Sequence, residues 1–237
     1  MKLNCDVGEG FSTDSQLMPF IQQANIACGV HAGDDELMAE TIRIAKNNNV
    51  MIGAHPSYDD RENFGRLPMS LDSRQIKQLI SDQVVALQHL ANKQQVEVEY
   101  VKPHGALYNQ MMQDERIFTA IVEAISGFDE TLKLMILARP DLQNYQQIAQ
   151  KNGVDLIFEA FADRAYDDQG YLVKRSEKGA LLSTAEQVHK QVKQLVETST
   201  ISTINGKRIE LQVDSICVHG DNLLAVKQIE YLATLIK

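Results

Sequence analysis

The sequence predicts an α/β fold built from parallel strands, and three observations support this. Seven short apolar segments alternate with longer amphipathic ones along the 237 residues. The short segments are apolar on both faces, which is typical of parallel strands covered by helices. Strands that alternate with helices form βα units with right-handed crossovers. Both a closed (β/α) barrel and an open doubly wound sheet fit this pattern, and the absence of a Pro/Gly/Ser-rich linker favours one domain.

The individual elements follow from apolar periodicity and from turn signals. The predicted strands cover residues 2–6, 24–28, 50–54, 98–102, 132–138, 154–159 and 215–218. Apolar residues at helical spacing predict helices over 35–46, 72–92, 184–198 and 222–236. Asp34 or Asp35 is a candidate cap for the first of these helices, and Asp221 for the last.

Two segments near the C-terminus are predicted to form β-hairpins. In residues 164–175 the chain turns at Asp168-Gln169-Gly170. In residues 201–213 the pair Asn205-Gly206 is a strong signal for a two-residue turn.

Composition excludes several classes of function. The net charge of −9 and the lack of a basic run argue against a nucleic-acid partner. No apolar run approaches the roughly 20 residues of a membrane span, and the N-terminus has no targeting core. The three cysteines are odd in number and form no CxxC pair, so we expect no disulfide and a cytoplasmic location.

Ionisable side chains follow six of the seven predicted strands. They are Asp6, Glu9, His31, Asp34, His55, Lys102, His104, Glu159, Asp163, Arg164, His219 and Asp221. The carboxyl ends of parallel strands meet at one end of a barrel or sheet, where α/β enzymes bind substrates. Each residue alone has a structural explanation, such as helix capping or a hydrogen bond to a carbonyl. Because burying several unpaired charges at one rim is costly, a shared polar pocket explains them together.

The segment 56–66, PSYDDRENFGR, follows the third strand and is predicted to form a loop over this pocket. Arg61 and Arg66 each offer a planar guanidinium to a substrate carboxylate or phosphate. The sequence lacks a GxxxxGK[ST] phosphate loop, a dinucleotide fingerprint, a GxSxG elbow and an HEXXH motif. A metal remains open, since Asp6 with His31, His55 or His104 would form a mixed nitrogen and oxygen site.

Six motifs carry a family resemblance. They are LNCDVGEG at 3–10, NIACGVHAGD at 25–34, GAHPSYDDRENFGR at 53–66, KPHGALYN at 102–109, EAFADRAY at 159–166 and SICVHGD at 215–221. With these motifs in this order over nearly its whole length, the sequence resembles the LamB/YcsF family. The resemblance implies a (β/α)7-type TIM-like barrel over residues 1–237, related to polysaccharide deacetylases.

The resemblance also implies an activity, which is the ATP-dependent opening of 5-oxo-L-proline to L-glutamate. Subunits B and C of a 5-oxoprolinase would be its partners. The expected cofactor is ATP with Mg²⁺, and we expect no tightly bound transition metal. Two alternatives stay open: a metal-dependent deacetylase or amidohydrolase that acts without ATP, and a non-catalytic scaffold subunit that binds the substrate.

The rim positions and the matching motifs give two sets of candidate residues. The catalytic candidates are Asp6, Glu9, His31, His55, His104, Glu159 and Asp163. The candidates for binding substrate or phosphate are Arg61, Arg66, Lys102, Asn109, Arg164, His219 and Asp221.

Overall fold

A computed structural model describes residues 1–128, 131–219 and 223–236. The strands are β1 Lys2–Val7, β2 Gln23–Ala27, β3 Met51–His55, β4 Val98–Val101, β5 Lys133–Leu137, β6 Leu156–Phe161, β7 Thr200–Ser202, β8 Arg208–Glu210 and β9 Ser215–Cys217. Seven of them form a closed barrel in the order β1-β2-β3-β4-β5-β6-β9, and all neighbours are parallel. The structure therefore confirms the predicted α/β fold and selects the barrel over the open sheet.

Closure depends on β9, which pairs with both β1 and β6. Asn4 of β1 lies opposite Cys217, and Glu159 of β6 lies opposite Ser215. This register brings polar side chains of the first and sixth strands to the same end of the barrel. The observed strand ends differ from the predicted ones by one or two residues, as expected where hydrogen bonding decides the boundary.

Eight α-helices are described. They are α1 Asp14–Leu17, α2 Asp35–Asn47, α3 Ser73–Lys93, α4 Gly105–Met111, α5 Glu115–Ile125, α6 Gln143–Lys151, α7 Ala185–Thr198 and α8 Leu223–Leu235. The four predicted helices are confirmed as α2, α3, α7 and α8. Asp34 caps α2 by accepting a hydrogen bond from Leu37 N at 2.9 Å, so Asp35 is the first helical residue. The predicted cap of α8, Asp221, lies outside the described residues.

Helices α1, α4, α5 and α6 were not among the predicted elements. α5 is amphipathic, with Glu115, Arg116 and Glu123 exposed on one side and apolar residues buried on the other, so its periodicity was present in the sequence but was not used. α4 follows β4 after only three residues, and Gly105 at its start has a φ of +57°, which favours glycine. None of the described helices is long and apolar enough to cross a membrane.

The two predicted hairpins differ from the expectation in detail. Residues 164–175 form a turn closed by one isolated bridge between Tyr166 and Leu172, rather than a continuous ladder. β7 and β8 pair antiparallel, but Thr203 N donates to Lys207 O across a three-residue loop. The two-residue turn was wrong because Asn205 and Thr203 both donate side-chain hydrogen bonds to Asp168, which holds the loop in a wider form.

Candidate active site

A cavity of about 400 Å³ opens at the carboxyl ends of the barrel strands. This volume is within the range of pockets that bind small molecules. The predicted residues that line it are Asp6, Glu9, His55, Arg66, Lys102, His104, Asn109, Arg164 and His219. His31, Glu159 and Asp163 lie directly behind this lining, in contact with Glu9, Lys102 and His219. The rim positions predicted from the sequence therefore form one site.

The floor of the cavity holds a group of three buried charges, here called the lysine cluster: Asp6, Lys102 and Glu159. Lys102 Nζ lies 2.7 Å from Asp6 Oδ1 and 2.8 Å from Glu159 Oε1. Burial works against ionisation of Lys102, but the nearby Asp6, Cys217 and Glu159 raise its pKa well above the ordinary value. Burial likewise opposes ionisation of Asp6, yet His55 and Lys102 outweigh it and lower the pKa of that carboxyl. Lys102 and Asp6 are therefore both held in their charged forms.

Lys102 is a candidate for binding substrate or phosphate and lines the cavity, and its contacts indicate a second role. Its ammonium group donates to Asp6 and also to Cys217 Sγ at 3.3 Å, and it forms the ion pair with Glu159. It also donates to Asn4 Oδ1 at 3.5 Å, so polar side chains surround the ammonium group. Lys102 therefore holds two carboxylates in place, and its role in binding substrate or phosphate stays a prediction.

Two amides and a tyrosine that the sequence analysis missed support Asp6. Asn25 Nδ2 donates to Asp6 Oδ1 at 2.7 Å and to Asn4 Oδ1 at 2.8 Å. Tyr100 OH donates to Asn25 Oδ1 at 2.7 Å. A Cβ at Gly53 would lie 2.2 Å from the Tyr100 ring, so only glycine leaves room for this tyrosine. The available signal was an asparagine inside each of two otherwise apolar strands.

Glu159 has its own missed partner. Tyr108 of α4 donates its hydroxyl to Glu159 Oε2 at 2.7 Å, and both residues are buried. Tyr108 lies inside the KPHGALYN motif, which marked it only as part of a pattern. Its role depends on the contact between α4 and β6, which no local pattern reveals.

Four residues on the other side of the cavity form a second group, here called the histidine cluster: Glu9, His31, His55 and His104. Glu9 Oε1 lies 3.4 Å from both His31 Nε2 and His104 Nδ1. His104 Nδ1 lies 2.9 Å from His55 Nε2. The rings of His31 and His104 stack in parallel, with centroids 3.9 Å apart.

Burial decides the charge of two of these rings. It lowers the pKa of His31 to about 3, with a further contribution from His55. It also lowers the pKa of His104 well below the ordinary value, followed by the effects of His55 and His31. Both imidazoles are therefore neutral at neutral pH and retain a lone pair for a ligand or a proton.

His219 and Asp163 form a hydrogen-bonded pair at the cavity wall. His219 Nδ1 lies 2.8 Å from Asp163 Oδ1, and Asp163 is buried. The imidazole also stacks on Phe161, with ring centroids 5.4 Å apart. A buried aspartate that accepts from one ring nitrogen fixes the orientation of the ring and leaves the other nitrogen for acid–base chemistry.

Basic side chains surround the mouth of the cavity despite the negative net charge. Arg66 is exposed and lies over the Phe64 ring at 4.9 Å. Arg164 is buried and donates to Val173 O at 2.7 Å, and burial lowers its pKa to about 10. Lys174 and Arg175 also line the mouth, although the sequence analysis did not select them. This end of the cavity is suited to an anionic group.

One predicted residue is placed elsewhere, and another lies outside the described residues. Arg61 donates from Nη2 to Gly29 O at 2.5 Å and to Gly33 O at 2.7 Å. It is not among the described residues that line the cavity. The structure therefore argues for a role in holding the loop after β2, because both carbonyls belong to that loop. Asp221 lies in the part of the sequence that is not described.

Comparisons with known proteins agree with this fold. The A subunit of a 5-oxoprolinase from Vibrio cholerae is 45% identical over 234 residues, and the match covers 97% of this sequence and 94% of that protein. A protein of the same name from Pseudomonas fluorescens is 42% identical over 233 residues, covering 96% and 93%. The crystal structure of a lactam utilization protein from Thermus thermophilus has a TM-score of 0.90 at 30% identity, covering 100% of this sequence and 95% of that chain. The LamB/YcsF family model matches residues 1–237, and this chain therefore belongs to the LamB/YcsF family.

Proposed function

We propose that this chain is the A subunit of a 5-oxoprolinase, which opens 5-oxo-L-proline to L-glutamate in a reaction coupled to ATP hydrolysis. The observation that carries the proposal is a cavity with buried acid–base groups at its floor and basic side chains at its mouth. The names of the two bacterial relatives and of the Thermus thermophilus protein support this substrate class.

The cavity fits the two parts of the proposed substrate. 5-Oxo-L-proline carries a carboxylate on a small lactam ring. Arg66 and Arg164 at the mouth would bind the carboxylate, because a guanidinium matches its planar geometry. The exposed amide of Asn109 would add a hydrogen bond from the same side. The ring would then lie toward His219 and the histidine cluster.

The chemistry needs an activated carbonyl, because a lactam is a resonance-stabilised amide. ATP would phosphorylate the carbonyl oxygen and release ADP. Water then attacks the carbon, and the C–N bond breaks as the ring nitrogen takes up a proton. A second water hydrolyses the resulting acyl phosphate, which gives L-glutamate and phosphate.

Residues of this chain would perform the proton transfers. The His219–Asp163 pair would protonate the leaving ring nitrogen, since Asp163 fixes the imidazole and stabilises its charged form. His31 in the histidine cluster would accept the proton of the attacking water, because burial lowers its pKa to about 3 and keeps the ring neutral. The ion pairs of the lysine cluster would keep the charged groups at the cavity floor in fixed positions during the reaction. Such fixed charges stabilise a transition state without having to reorient.

The ATP step would depend on partner subunits. This chain lacks a GxxxxGK[ST] phosphate loop, and its net charge of −9 gives no broad field that attracts ATP. We assign the phosphorylation to subunits B and C with ATP and Mg²⁺, and the ring opening to this cavity. A phosphorylated lactam hydrolyses in water, so direct transfer within a complex would protect it. The interface would lie around the cavity mouth and include residues 164–175.

The test follows L-glutamate and ADP together. The purified protein is mixed with 5-oxo-L-proline, ATP and Mg²⁺, with and without purified subunits B and C. We expect equal amounts of both products from the complete mixture and neither product in the absence of the partners. Robust ATP-coupled glutamate formation by the isolated chain would overturn the dependence on partners, and no turnover by any mixture would overturn the proposed function.

The histidine cluster favours one second candidate, a metal-dependent amide hydrolase that acts without ATP. The same assay distinguishes it, because glutamate or another hydrolysis product would then form in the absence of ATP. The scaffold alternative is tested by cavity variants. If Glu9→Gln and His219→Asn left the turnover of the complete complex unchanged, the chain would serve only to bind substrate or partners.

A further inference from the structure

The outward-facing nitrogens of the histidine cluster fix where its protons lie. His55 Nδ1 is 2.6 Å from the carbonyl of Lys102, and His104 Nε2 is 2.9 Å from the carbonyl of Phe64. A carbonyl oxygen only accepts hydrogen bonds, so each of these nitrogens carries a proton. The remaining nitrogens, His55 Nε2 and His104 Nδ1, are then the positions at which each ring can coordinate an ion, and His55 Nε2 also lies 3.4 Å from Asp6 Oδ2.

His31 has the same arrangement through a hydroxyl. Its Nδ1 lies 2.9 Å from Ser57 Oγ, and Ser57 Oγ donates to the carbonyl of Tyr58 at 3.0 Å. Because the hydroxyl proton is directed at that carbonyl, Oγ accepts from His31 Nδ1. The lone pair of His31 is therefore on Nε2, on the side that faces Glu9.

Four acceptor atoms consequently converge on one small space. One ligand atom from each of Glu9, His31, His55 and His104 lies within 4.8 Å of the other three. His55 Nε2 and His104 Nδ1 are only 2.9 Å apart, and Glu9 Oε1 is 3.4 Å from His104 Nδ1. A cation between these nitrogens and the carboxylate, either a shared proton or a metal ion, stabilises so close an approach.

We propose that Glu9, His55 and His104 bind one divalent transition-metal ion at the wall of the cavity. The distances agree with coordination. Two ligands of a tetrahedral ion with bonds of about 2.0–2.1 Å lie about 3.4 Å apart, and neighbouring ligands of an octahedral ion lie about 3.0 Å apart. The His55 and His104 rings meet at 88°, which allows one ion to lie in the plane of both.

His31 has a different position in this arrangement. Its ring is parallel to that of His104, at 9° and with centroids 3.9 Å apart, so one ion cannot lie in both ring planes. His31 Nε2 instead lies 3.4 Å from Glu9 Oε1, next to the three proposed ligands. The hydrogen bonds from His55 to a backbone carbonyl and from His104 to another orient both ligands, as is usual for metal-bound histidines.

The donor set selects the class of ion. Two imidazoles and one carboxylate suit Zn²⁺, Co²⁺, Mn²⁺ or Fe²⁺ better than Mg²⁺, which prefers oxygen ligands. The proposal opposes the sequence-based expectation of no tightly bound transition metal, and the experiment below decides between them. It does not rest on the proposed function, because the test measures binding alone.

The test uses the full-length protein and the metals themselves. The protein is stripped with a chelator, dialysed against Zn²⁺, Co²⁺ or Mn²⁺ separately, and analysed for metal content. We expect one ion per molecule for at least one of the three metals, with a visible absorption band for bound Co²⁺ and a raised Tm. Glu9→Gln and His104→Gln should each weaken metal binding by at least ~100-fold. Loss of a residue that only hydrogen-bonds to a metal ligand already lowers metal affinity by about 10–100-fold, and loss of a ligand should cost more.

His89→Ala is the matched control, because His89 is exposed on α3. It should bind the ion as the wild type does. No stoichiometric ion for any of the three metals would overturn the proposal and favour a proton shared between His55 and His104. Unchanged affinity in Glu9→Gln would also overturn it. If His104→Gln does not fold, as judged by circular dichroism, the wild-type stoichiometry and Glu9→Gln decide the result.

Discussion

The lysine cluster and the histidine cluster lie side by side at the same end of the barrel, yet they are built in opposite ways. In the lysine cluster the protein supplies its own cation, with Lys102 Nζ within 2.8 Å of two carboxylates. In the histidine cluster the protonated nitrogens point outward to carbonyl and hydroxyl oxygens, and the acceptors point inward. The lysine cluster contains its own cation, whereas in the histidine cluster we propose that a bound metal ion supplies it.

This difference predicts different consequences for mutation. A complete buried network contributes to the fold, and breaking it leaves a charge without a partner. A cluster of inward-facing acceptors contributes to binding and chemistry, and losing one member costs activity more than stability. The predictions below test this division, beginning with the largest expected effect.

Lys102→Met should lower the free energy of unfolding by about 3–5 kcal/mol, because Asp6 and Glu159 then remain buried without their cation. Urea denaturation measures the change. The double variant Lys102→Met with Glu159→Gln should recover part of the loss, since one of the two uncompensated charges is removed. A Lys102→Met protein as stable as the wild type would show that the lysine cluster does not support the fold.

Asp14→Asn tests a buried carboxyl that lacks a lysine. Asp14 accepts a hydrogen bond from Gly8 N at 2.7 Å, and burial raises its pKa from 3.8 to about 6. A raised carboxyl pKa means that wild-type stability falls as the pH rises through this window, by up to ~3 kcal/mol. The asparagine keeps an acceptor for Gly8 and carries no charge.

The variant should therefore match the wild type near pH 4 and exceed its stability at pH 8. The difference between the free energies of unfolding of the two proteins at each pH isolates the contribution of Asp14, because the other titrating groups are common to both proteins. A difference that is the same at pH 4 and pH 8 would rule out a buried charge at this position.

His55→Ala and His104→Ala should each lower turnover of the complete complex by at least ~100-fold, the scale expected for acid–base or ligand groups. Their loss of stability should be smaller than that of Lys102→Met. Steady-state glutamate formation measures the turnover of each variant, and urea denaturation measures its free energy of unfolding. Near-normal turnover in both would remove the histidine cluster from the active site.

Arg66→Ala should raise KM for 5-oxo-L-proline by about 10-fold, the lower end for a charge-assisted hydrogen bond. Arg66→Lys keeps the charge but loses the planar guanidinium, so KM should rise in the same direction. Arg61→Ala is the control, because Arg61 donates to two backbone carbonyls and does not line the cavity. Equal KM values for the wild type and both Arg66 variants would exclude Arg66 from substrate binding.

The strand pattern predicted that Asp6, His55, Lys102 and Glu159 lie at one edge of a parallel sheet, and the family motifs implied the barrel. The closure of that sheet through β9 is what brings the ends of β1 and β6 together. The division into two clusters was not predictable. It depends on how far each side chain reaches across the closed barrel, as when Lys102 lies between Asp6 of β1 and Glu159 of β6.

Other roles were hidden for a related reason. Arg61 and Arg66 occupy the same loop and have the same chemistry, and only the contact with Gly29 and Gly33 separates them. Asn25 and Tyr100 resemble ordinary strand residues in the sequence. Their hydrogen bond forms because Gly53 has no side chain and leaves room for the Tyr100 ring. Long-range contacts of this kind are set by packing and have no local signature in the sequence.

The central claim is that ring opening occurs in the cavity of this protein. The most direct measurement compares complexes reconstituted from subunits B and C with either the wild-type protein or His219→Asn, and records glutamate formed per unit time. The variant keeps the shape of the site but loses the ring that Asp163 orients. We predict a fall of at least ~100-fold, with complex assembly unchanged. An unchanged rate of glutamate formation would contradict the account and place the chemistry in one of the partners.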